Sequence, residues 1–200
     1  MAATPAPAAG SDGRIGQAPG RLALLQAFVN TLDIEHATDE LSSPAALDGW
    51  LRSASLAADK PELASTGLAD LALAVDLREA LRGVLRSHVV RKPAAIADPA
   101  ARLGEIASSM QARIVAGADG SLGVVAGGRG SQAALAELLL IAAEAQTLGT
   151  WSRLKVCSAD DCQWAFFDRS PTRSGCWCSM QVCGSRAKAR AYRSRAGNTG

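Results

Sequence analysis

The stretch LKVCSADDCQWAFFDRSPTRSGCWCSMQVCGSRAKARAYRSR, residues 154–195, holds all five cysteines of this 200-residue chain. Four of them form two pairs, with four residues inside each pair and fifteen between the pairs: Cys157, Cys162, Cys178 and Cys183. Zinc in structural sites takes four tetrahedral ligands, and thiolates satisfy it fully, so each pair can supply half of one site. The spacing therefore predicts one structural zinc ion, with no open coordination position for catalysis.

Cys176 is the surplus thiol, and it leaves alternatives open. It could replace Cys178 as a ligand, although the equal spacing of the two pairs favours Cys178. The cluster could also be a redox dithiol pair or a set of buried, unliganded thiols. A module of about 50 residues buries little core, so zinc should supply much of its folding free energy. Loss of zinc is then expected to unfold this module and to leave the rest of the chain folded.

The same end of the chain is basic. Residues 151–200 carry nine basic residues (Lys or Arg) and three acidic residues (Asp or Glu). Residues 1–150 carry 12 basic and 16 acidic residues. Residues 185–195 have a helical pattern with Arg186, Arg190 and Arg193 on one side and Lys188 and Arg195 on another. These five cations, together with Arg173, are the candidate contacts to nucleic-acid phosphates, which would make binding salt-dependent. The alternative is a solvated cationic end with no partner.

Helical patterns dominate residues 21–150. Ser43-Pro44 predicts a helix start, because a hydroxyl cap followed by proline suits the first turn. FVNTL at 28–32 fits either a helix or a short strand, and Asp119-Gly120 predicts a β-hairpin that joins 113–116 to 122–126. Further helices are expected after Pro61 and over 68–90, 99–110 and 132–149.

These patterns predict a mainly α fold with a small β-hairpin (α+β). A helical N-terminal domain is followed by a small four-cysteine zinc module that ends in a basic helix. We expect a disordered Ala/Pro/Gly-rich leader over residues 1–20 and the helical domain over 21–150. The zinc module is expected over 151–196, followed by a short disordered tail over 197–200.

The composition argues against several classes of function. No window holds the roughly 18 consecutive apolar residues of a membrane-spanning helix, and the first 20 residues lack the features of a secretory signal. Two His and one Tyr leave few groups for acid–base chemistry, and the polar residues form no catalytic constellation. We therefore expect a cytoplasmic protein that is not an enzyme and does not bind membranes.

The C-terminal stretch resembles the CGNR zinc-finger family. The shared features are the two Cys pairs, the aromatic-Phe-Asp-x-Ser segment, the Trp-Cys-Ser-Met run and the closing Cys-Gly-x-Arg-x-Lys. The preceding residues resemble the ABATE domain, through FVNTL at 28–32 and the Ser-Pro…Leu-x-x-Trp-Leu run at 43–51. This resemblance implies a zinc-containing, stress-induced bacterial transcriptional regulator.

The chain departs from the CGNR pattern at two positions. Ser185 stands where the family name has Asn, and Ser, like Asn, can cap a helix that begins at Arg186. Cys176 stands where relatives commonly carry a basic residue, so one phosphate contact could be missing.

Two functions compete on this basis. The first is a DNA-binding transcriptional regulator whose N-terminal domain senses a small-molecule effector or forms a homodimer; Asn30 and Thr31, polar residues in an apolar stretch, are the candidate ligand-facing pair. Internal hydrogen bonding is the alternative role for that pair. The second function is a zinc-dependent module that binds protein or RNA without specific DNA binding.

Overall fold

The computed structural model describes residues 16–56, 66–90 and 94–196 and has the mainly helical architecture expected from the sequence. Its helices are α1 (Leu22–Val29), α2 (Pro44–Ser53), α3 (Leu68–Val90), α4 (Ala94–Ser109), α5 (Gly130–Thr147) and α6 (Ser185–Ala196). The described residues also form three two-stranded antiparallel hairpins: β1–β2 (Leu32–Asp33, Thr38–Asp39), β3–β4 (Ala112–Ala116, Leu122–Ala126) and β5–β6 (Leu154–Val156, Ala165–Phe167). No helix in the described part of the chain is long and apolar enough to cross a membrane.

The core forms where α1, α3 and α5 meet. Helical spacing places apolar side chains of each helix on one face, and most of the largest fully buried ones come from these three helices and α2. Those on the helices are Leu25 and Phe28 of α1, Leu47 and Leu51 of α2, Leu77, Leu81 and Leu85 of α3, and Leu135, Leu138 and Ile141 of α5; Leu154 of β5 is the one such side chain outside the helices in the described part of the chain.

The start of α2 follows the predicted capping pattern. The Ser43 hydroxyl accepts a hydrogen bond from the Ala46 N–H at 3.1 Å, and Pro44 is the first residue of the helix. The cap satisfies one of the backbone donors that a helix start leaves unpaired. The helix expected after Pro61 lies outside the described residues.

Helix α4 begins earlier than the sequence predicts. It runs over Ala94–Ser109 instead of 99–110, and it contains Pro99 in its second turn. A proline there removes only one backbone hydrogen bond close to the helix start. The Pro99 ring also packs on α3, where a β-carbon built on Gly83 would lie 2.7 Å from Pro99 Cβ.

The C-terminal stretch contributes to the same core as the helices. Leu154, Val156, Ala165 and Phe167 of β5–β6 are buried in the main apolar cluster. Buried Arg82 of α3 ties the two regions together, because its guanidinium donates to the Val29 carbonyl at 2.7 Å and to the Gln163 carbonyl at 2.9 Å.

Part of the expected disordered leader has a defined place. Residues 16–20 are described, and the Gly16 carbonyl accepts a hydrogen bond from the Phe167 N–H at 2.7 Å. Gly16 has φ +107°, and a β-carbon there would lie 2.4 Å from the Phe167 oxygen, so only glycine fits. Residues 16–20 of the predicted leader thus lie against β6, and the rest of the leader lies outside the described residues.

Candidate metal centre and nucleic-acid interface

The structure brings the four paired cysteines into one buried cluster. The sulfurs of Cys157, Cys162, Cys178 and Cys183 all lie within 4.8 Å of one another. The Sγ atoms of Cys162 and Cys178 are 3.6 Å apart, and those of Cys178 and Cys183 are 3.7 Å apart. Tetrahedral zinc with Zn–S bonds of about 2.3 Å requires sulfur separations of about 3.8 Å. The donor set therefore fits one structural zinc ion bound by four thiolates.

Tight turns position each cysteine pair. Cys157 follows β5 and donates its N–H to the Trp164 carbonyl at 2.9 Å, and the Cys162 N–H closes a turn on the Ala159 carbonyl at 3.0 Å. Cys183 lies in a wide, π-type helical turn over Met180–Gly184. The Ser179 hydroxyl caps this turn by accepting from the Val182 N–H at 3.2 Å.

The four thiols differ in pKa because they lie close enough to hydrogen-bond to one another. Hydrogen bonds from the Cys162 and Cys178 thiols lower the pKa of Cys157 below its ordinary value. The same bond to Cys157 raises the pKa of Cys162, and the pKa of Cys178 is also raised. When bound, a zinc cation supplies the positive charge that lets all four sulfurs bind as thiolates.

Cys176 lies outside the cluster. Its side chain is half-buried, and its backbone carbonyl accepts a hydrogen bond from the Ser158 N–H at 2.9 Å. The surplus thiol is thus next to the zinc turn without joining the four close sulfurs. Phe166 is buried against the sulfur cluster, with Trp164 and Trp177 half-buried around it.

A buried ion pair supports the loop that carries Arg173. Lys155 Nζ donates to Asp168 Oδ2 at 2.7 Å and to the Arg173 carbonyl at 2.7 Å, and both charged side chains are 3% exposed. Burial opposes ionisation of Asp168, but Lys155 and the N–H groups of Ser170 and Gly175 hold its pKa well below the usual range. Arg173 itself is exposed at the tip of this loop.

The basic helix α6 grows directly out of the cysteine cluster. The π-type turn that contains Cys183 continues into α6 at Ser185, so the helical path starts at the Ser179 cap. The expected capping role of Ser185 is therefore wrong: Ser185 has helical backbone angles, and its hydroxyl donates to the Met180 carbonyl at 3.2 Å.

The two sides of α6 have different surroundings. Arg186 pairs with Glu35 in the turn between β1 and β2, and Arg190 pairs with Asp161 of the first cysteine turn at 3.3 Å. Arg193 lies on the same side but is exposed. Lys188 and Arg195 are exposed on the other side, together with Tyr192, whose side chain is 72% exposed. Two of the predicted phosphate contacts thus carry internal ion pairs, a feature that the sequence did not reveal.

Asn30 and Thr31 are occupied by internal hydrogen bonds. Asn30 Oδ1 accepts from the Ala165 N–H at 2.7 Å, and its Nδ2 donates to the Ala165 carbonyl at 3.0 Å. The buried Thr31 hydroxyl donates to the Phe28 carbonyl at 2.8 Å and accepts from Arg78 at 3.3 Å. These contacts favour the alternative role of internal hydrogen bonding for the pair, in which Asn30 anchors β6 to the end of α1.

Two known protein families match this chain, one over the helical part and one over the cysteine-containing part. The ABATE family profile, described as "Putative stress-induced transcription regulator", matches residues 20–150, which is more than half of the chain. The chain belongs to the ABATE family. The CGNR zinc-finger profile matches residues 153–196 of this ABATE protein, a range that contains all four clustered cysteines. A search of curated proteins gave no match.

Both matches indicate a regulatory role for this ABATE protein. The CGNR match and the sulfur cluster agree on one structural zinc ion. The chain therefore combines the helical ABATE domain with a CGNR zinc finger that ends in the basic helix α6.

Proposed function

We propose that this ABATE protein is a transcription regulator that binds DNA through the outward side of α6. The observation that carries the proposal is the placement of Lys188, Tyr192 and Arg195, which are exposed on one side of a helix that begins at the zinc cluster. Their spacing of four and three residues puts them on one helical face. Cations can neutralise phosphates there, and an exposed tyrosine between them can stack on or contact a base.

The ion-paired side of α6 orients this surface. Arg186 and Arg190 are held by Glu35 and Asp161, which are carried by the helical body and by the first cysteine turn. These bonds fix the rotation of α6 about its axis and turn Lys188 and Arg195 toward solvent. In this proposal Arg186 and Arg190 position the helix, whereas Lys188, Arg193, Arg195 and the loop residue Arg173 supply phosphate contacts.

The zinc ion would make the DNA-binding surface rigid. The four thiolates would join the first cysteine turn to the π-type turn that leads into α6, so the bound metal would fix where the helix emerges. A fixed helix loses less conformational entropy on binding than a free basic segment does.

The test compares cations on opposite sides of the same helix. Fluorescence anisotropy of zinc-loaded protein with duplex DNA should show that Lys188→Ala weakens binding several-fold, roughly tenfold when it is combined with Arg195→Ala. Arg190→Ala removes the same charge from the paired side and should weaken binding less. Equal losses for Lys188→Ala and Arg190→Ala would contradict the assignment of the DNA-binding side. Tighter binding to single-stranded RNA than to duplex DNA would favour the RNA-binding alternative.

We also propose that the chain has no catalytic activity. Both histidines carry structural contacts: His36 Nδ1 pairs with Asp33 at 2.9 Å, and His88 Nδ1 donates to the Leu154 carbonyl at 2.8 Å. Burial lowers the pKa of His88, which favours its neutral form. These contacts support the proposal because they give each histidine a structural partner.

The remaining parts of the proposal concern the cellular compartment, a small-molecule effector and the oligomeric state. Reduced zinc-binding thiols and DNA occur together in the cytoplasm, so this is the expected compartment. A small-molecule effector that binds the helical body stays a prediction, and the internal hydrogen bonds of Asn30 and Thr31 favour a structural role for that pair. A homodimer would supply two α6 helices for two DNA half-sites.

A further inference from the structure

Two arginines of α3, Arg78 and Arg82, are buried one helical turn apart. Their side chains are 3% and 5% exposed. A guanidinium stays charged when it is buried, so it needs hydrogen-bond acceptors that match its planar shape. The acceptors lie on two separate segments, the β1–β2 hairpin and the first cysteine turn (157–163), and each of these segments also carries an acidic partner of α6.

Arg78 holds the base of the β1–β2 hairpin. Its two terminal nitrogens donate to Asp39 Oδ1 at 2.7 Å and to Asp39 Oδ2 at 2.9 Å, and this two-bond contact fixes the orientation of both groups. One of these nitrogens also donates to the hydroxyl of Thr31, the residue before β1, at 3.3 Å. Because Asp39 is directly opposite Leu32, these contacts to both strands set the direction in which the hairpin extends.

The tip of the same hairpin contacts α6. The hairpin has only two residue pairs, so its tip lies close to Asp39. His36 closes the turn onto Asp33, since its N–H donates to Oδ1 at 3.2 Å and its Nδ1 lies 2.9 Å from Oδ2. Glu35 in this turn pairs with Arg186 of α6. A short hairpin that is closed at its tip moves as a unit, so a shift at its base changes the position of Glu35.

Arg82 is connected to α6 by a second route. Its guanidinium donates to the Gln163 carbonyl at the end of the first cysteine turn, at 2.9 Å. Gln163 has φ +49°, and its N–H donates to the Ala159 carbonyl at 3.0 Å, so the turn is tightly closed at this point. Asp161 of the same turn pairs with Arg190 of α6 at 3.3 Å. The two arginines of α3 thus hold the two segments that carry the acidic partners of α6.

We infer that Arg78 and Arg82 are positioning residues for α6, so that α3 controls the placement of this helix through Glu35 and Asp161. Among the described residues, neither arginine hydrogen-bonds to α6 itself, so both act through the acidic side chains. An effector that shifts α3 would therefore change how α6 is presented to DNA. That consequence rests on the proposed function, whereas the placement of α6 does not depend on DNA binding.

Hydrogen exchange of the α6 amides, in the zinc-loaded full chain without DNA, tests the placement. Arg78→Lys keeps the charge but loses the two-bond contact to Asp39, and Glu35→Ala removes the partner of Arg186. Each change should speed α6 exchange several-fold. The double variant should exchange no faster than the faster single variant, because both residues act along one route. Asp76→Asn is the control: it breaks an exposed ion pair between α3 and α4 and should leave α6 unchanged.

The affinity for duplex DNA gives a second readout, in which the sign of the change is decisive. If charge alone mattered, removing the negative charge of Glu35 beside a DNA-binding helix would strengthen binding. Because Glu35 positions α6, Glu35→Ala should weaken binding several-fold, and Arg78→Lys, which changes no charge, should weaken it as well. A wild-type chain that does not bind DNA would contradict the proposed function, and hydrogen exchange would still decide this inference.

Exchange in the core helices separates positioning from a general loss of stability. If Arg78→Lys does not fold, Thr31→Val takes its place, since it removes one acceptor of Arg78 and keeps the charge pair with Asp39. Unchanged α6 exchange in Glu35→Ala would overturn the inference. Additive effects of the two single changes, or equally faster exchange of α1 and α5, would also overturn it, because a merely structural role predicts these results.

Discussion

Single polar side chains connect parts of this chain that are far apart in sequence. Asn30 accepts a hydrogen bond from the Ala165 N–H and donates one to the Ala165 carbonyl. Gln26 Nε2 donates to the Ala165 carbonyl and to the Gly16 carbonyl. A polar residue in an apolar stretch can be read from sequence, but its partner 135 residues away cannot. The same signal therefore fits a ligand site and an internal anchor equally well, and only the three-dimensional structure separates them.

The buried Lys155–Asp168 pair leads to a prediction about stability. Asp168→Asn should lower the free energy of unfolding by about 3–5 kcal/mol, because it leaves the Lys155 ammonium buried without a compensating charge. Urea denaturation followed by circular dichroism measures the change. Asp160→Asn is the control, since Asp160 pairs with Arg86 at an exposed site, and it should cost less than 1 kcal/mol or so.

The pKa of Asp168 also fixes the direction of a pH effect. Its pKa in the folded protein lies below the ordinary value of 3.8, so its stabilising contribution is present above pH 3.8 and is lost as the pH falls below that value. In Asp168→Asn this part of the acid dependence should disappear. A variant with the same stability and the same acid dependence as wild type would contradict the structural role of the pair.

The helices and the β3–β4 hairpin were the most predictable features, because their signals are local, whereas the pairing of β1 with β2 and of β5 with β6 was not predicted. The Ser43 cap, the apolar face of α3 and the Asp119-Gly120 turn each depend on residues within a few positions of one another. The start of α4 was predicted five residues too late because a proline usually marks a helix start. Gly83 on α3 leaves room for the Pro99 ring, a contact between helices that the sequence around Pro99 does not contain.

The close approach of α3 and α4 can be tested with two glycine substitutions. Gly83→Ala should destabilise the chain by about 1–3 kcal/mol, because the new methyl group would overlap the Pro99 ring. Gly104→Ala, at an open position of α4, should stabilise the chain by up to about 1 kcal/mol through helix propensity. Thermal denaturation compares the two variants, and a Gly83→Ala chain as stable as Gly104→Ala would show that the helices are not in close contact there.

Among the described residues, the β5–β6 hairpin shares a core with the helices, and the four cysteines form a second buried cluster beside it. The cysteine spacing predicted which four sulfurs come together, because ligand pairs on tight turns are a local pattern. It could not predict that β5 and β6 complete the core around α1 and α3. Nor could it show that Glu35 and Asp161 hold one side of α6, since Arg186 and Glu35 are 151 residues apart.

This shared core changes the expected result of removing a zinc ligand. Cys162→Ser should release zinc and also lower the midpoint of the helical melting transition, instead of unfolding the C-terminal module alone. Cys176→Ser should keep both the metal and the wild-type midpoint, because Cys176 lies outside the sulfur cluster. Zinc analysis combined with melting at 222 nm measures both effects. An unchanged helical transition in metal-free Cys162→Ser would indicate two independent folding units.

The most direct test of the central claim is the salt dependence of duplex DNA binding by the zinc-loaded wild-type chain, measured by fluorescence anisotropy. If Lys188, Arg193, Arg195 and Arg173 contact phosphates, log Kd should rise linearly with log salt concentration with a slope of about 3–4, at about 0.9 per neutralised phosphate. Removing zinc with a chelator should abolish this binding. No binding at low salt, or binding whose strength does not change with salt, would contradict the account.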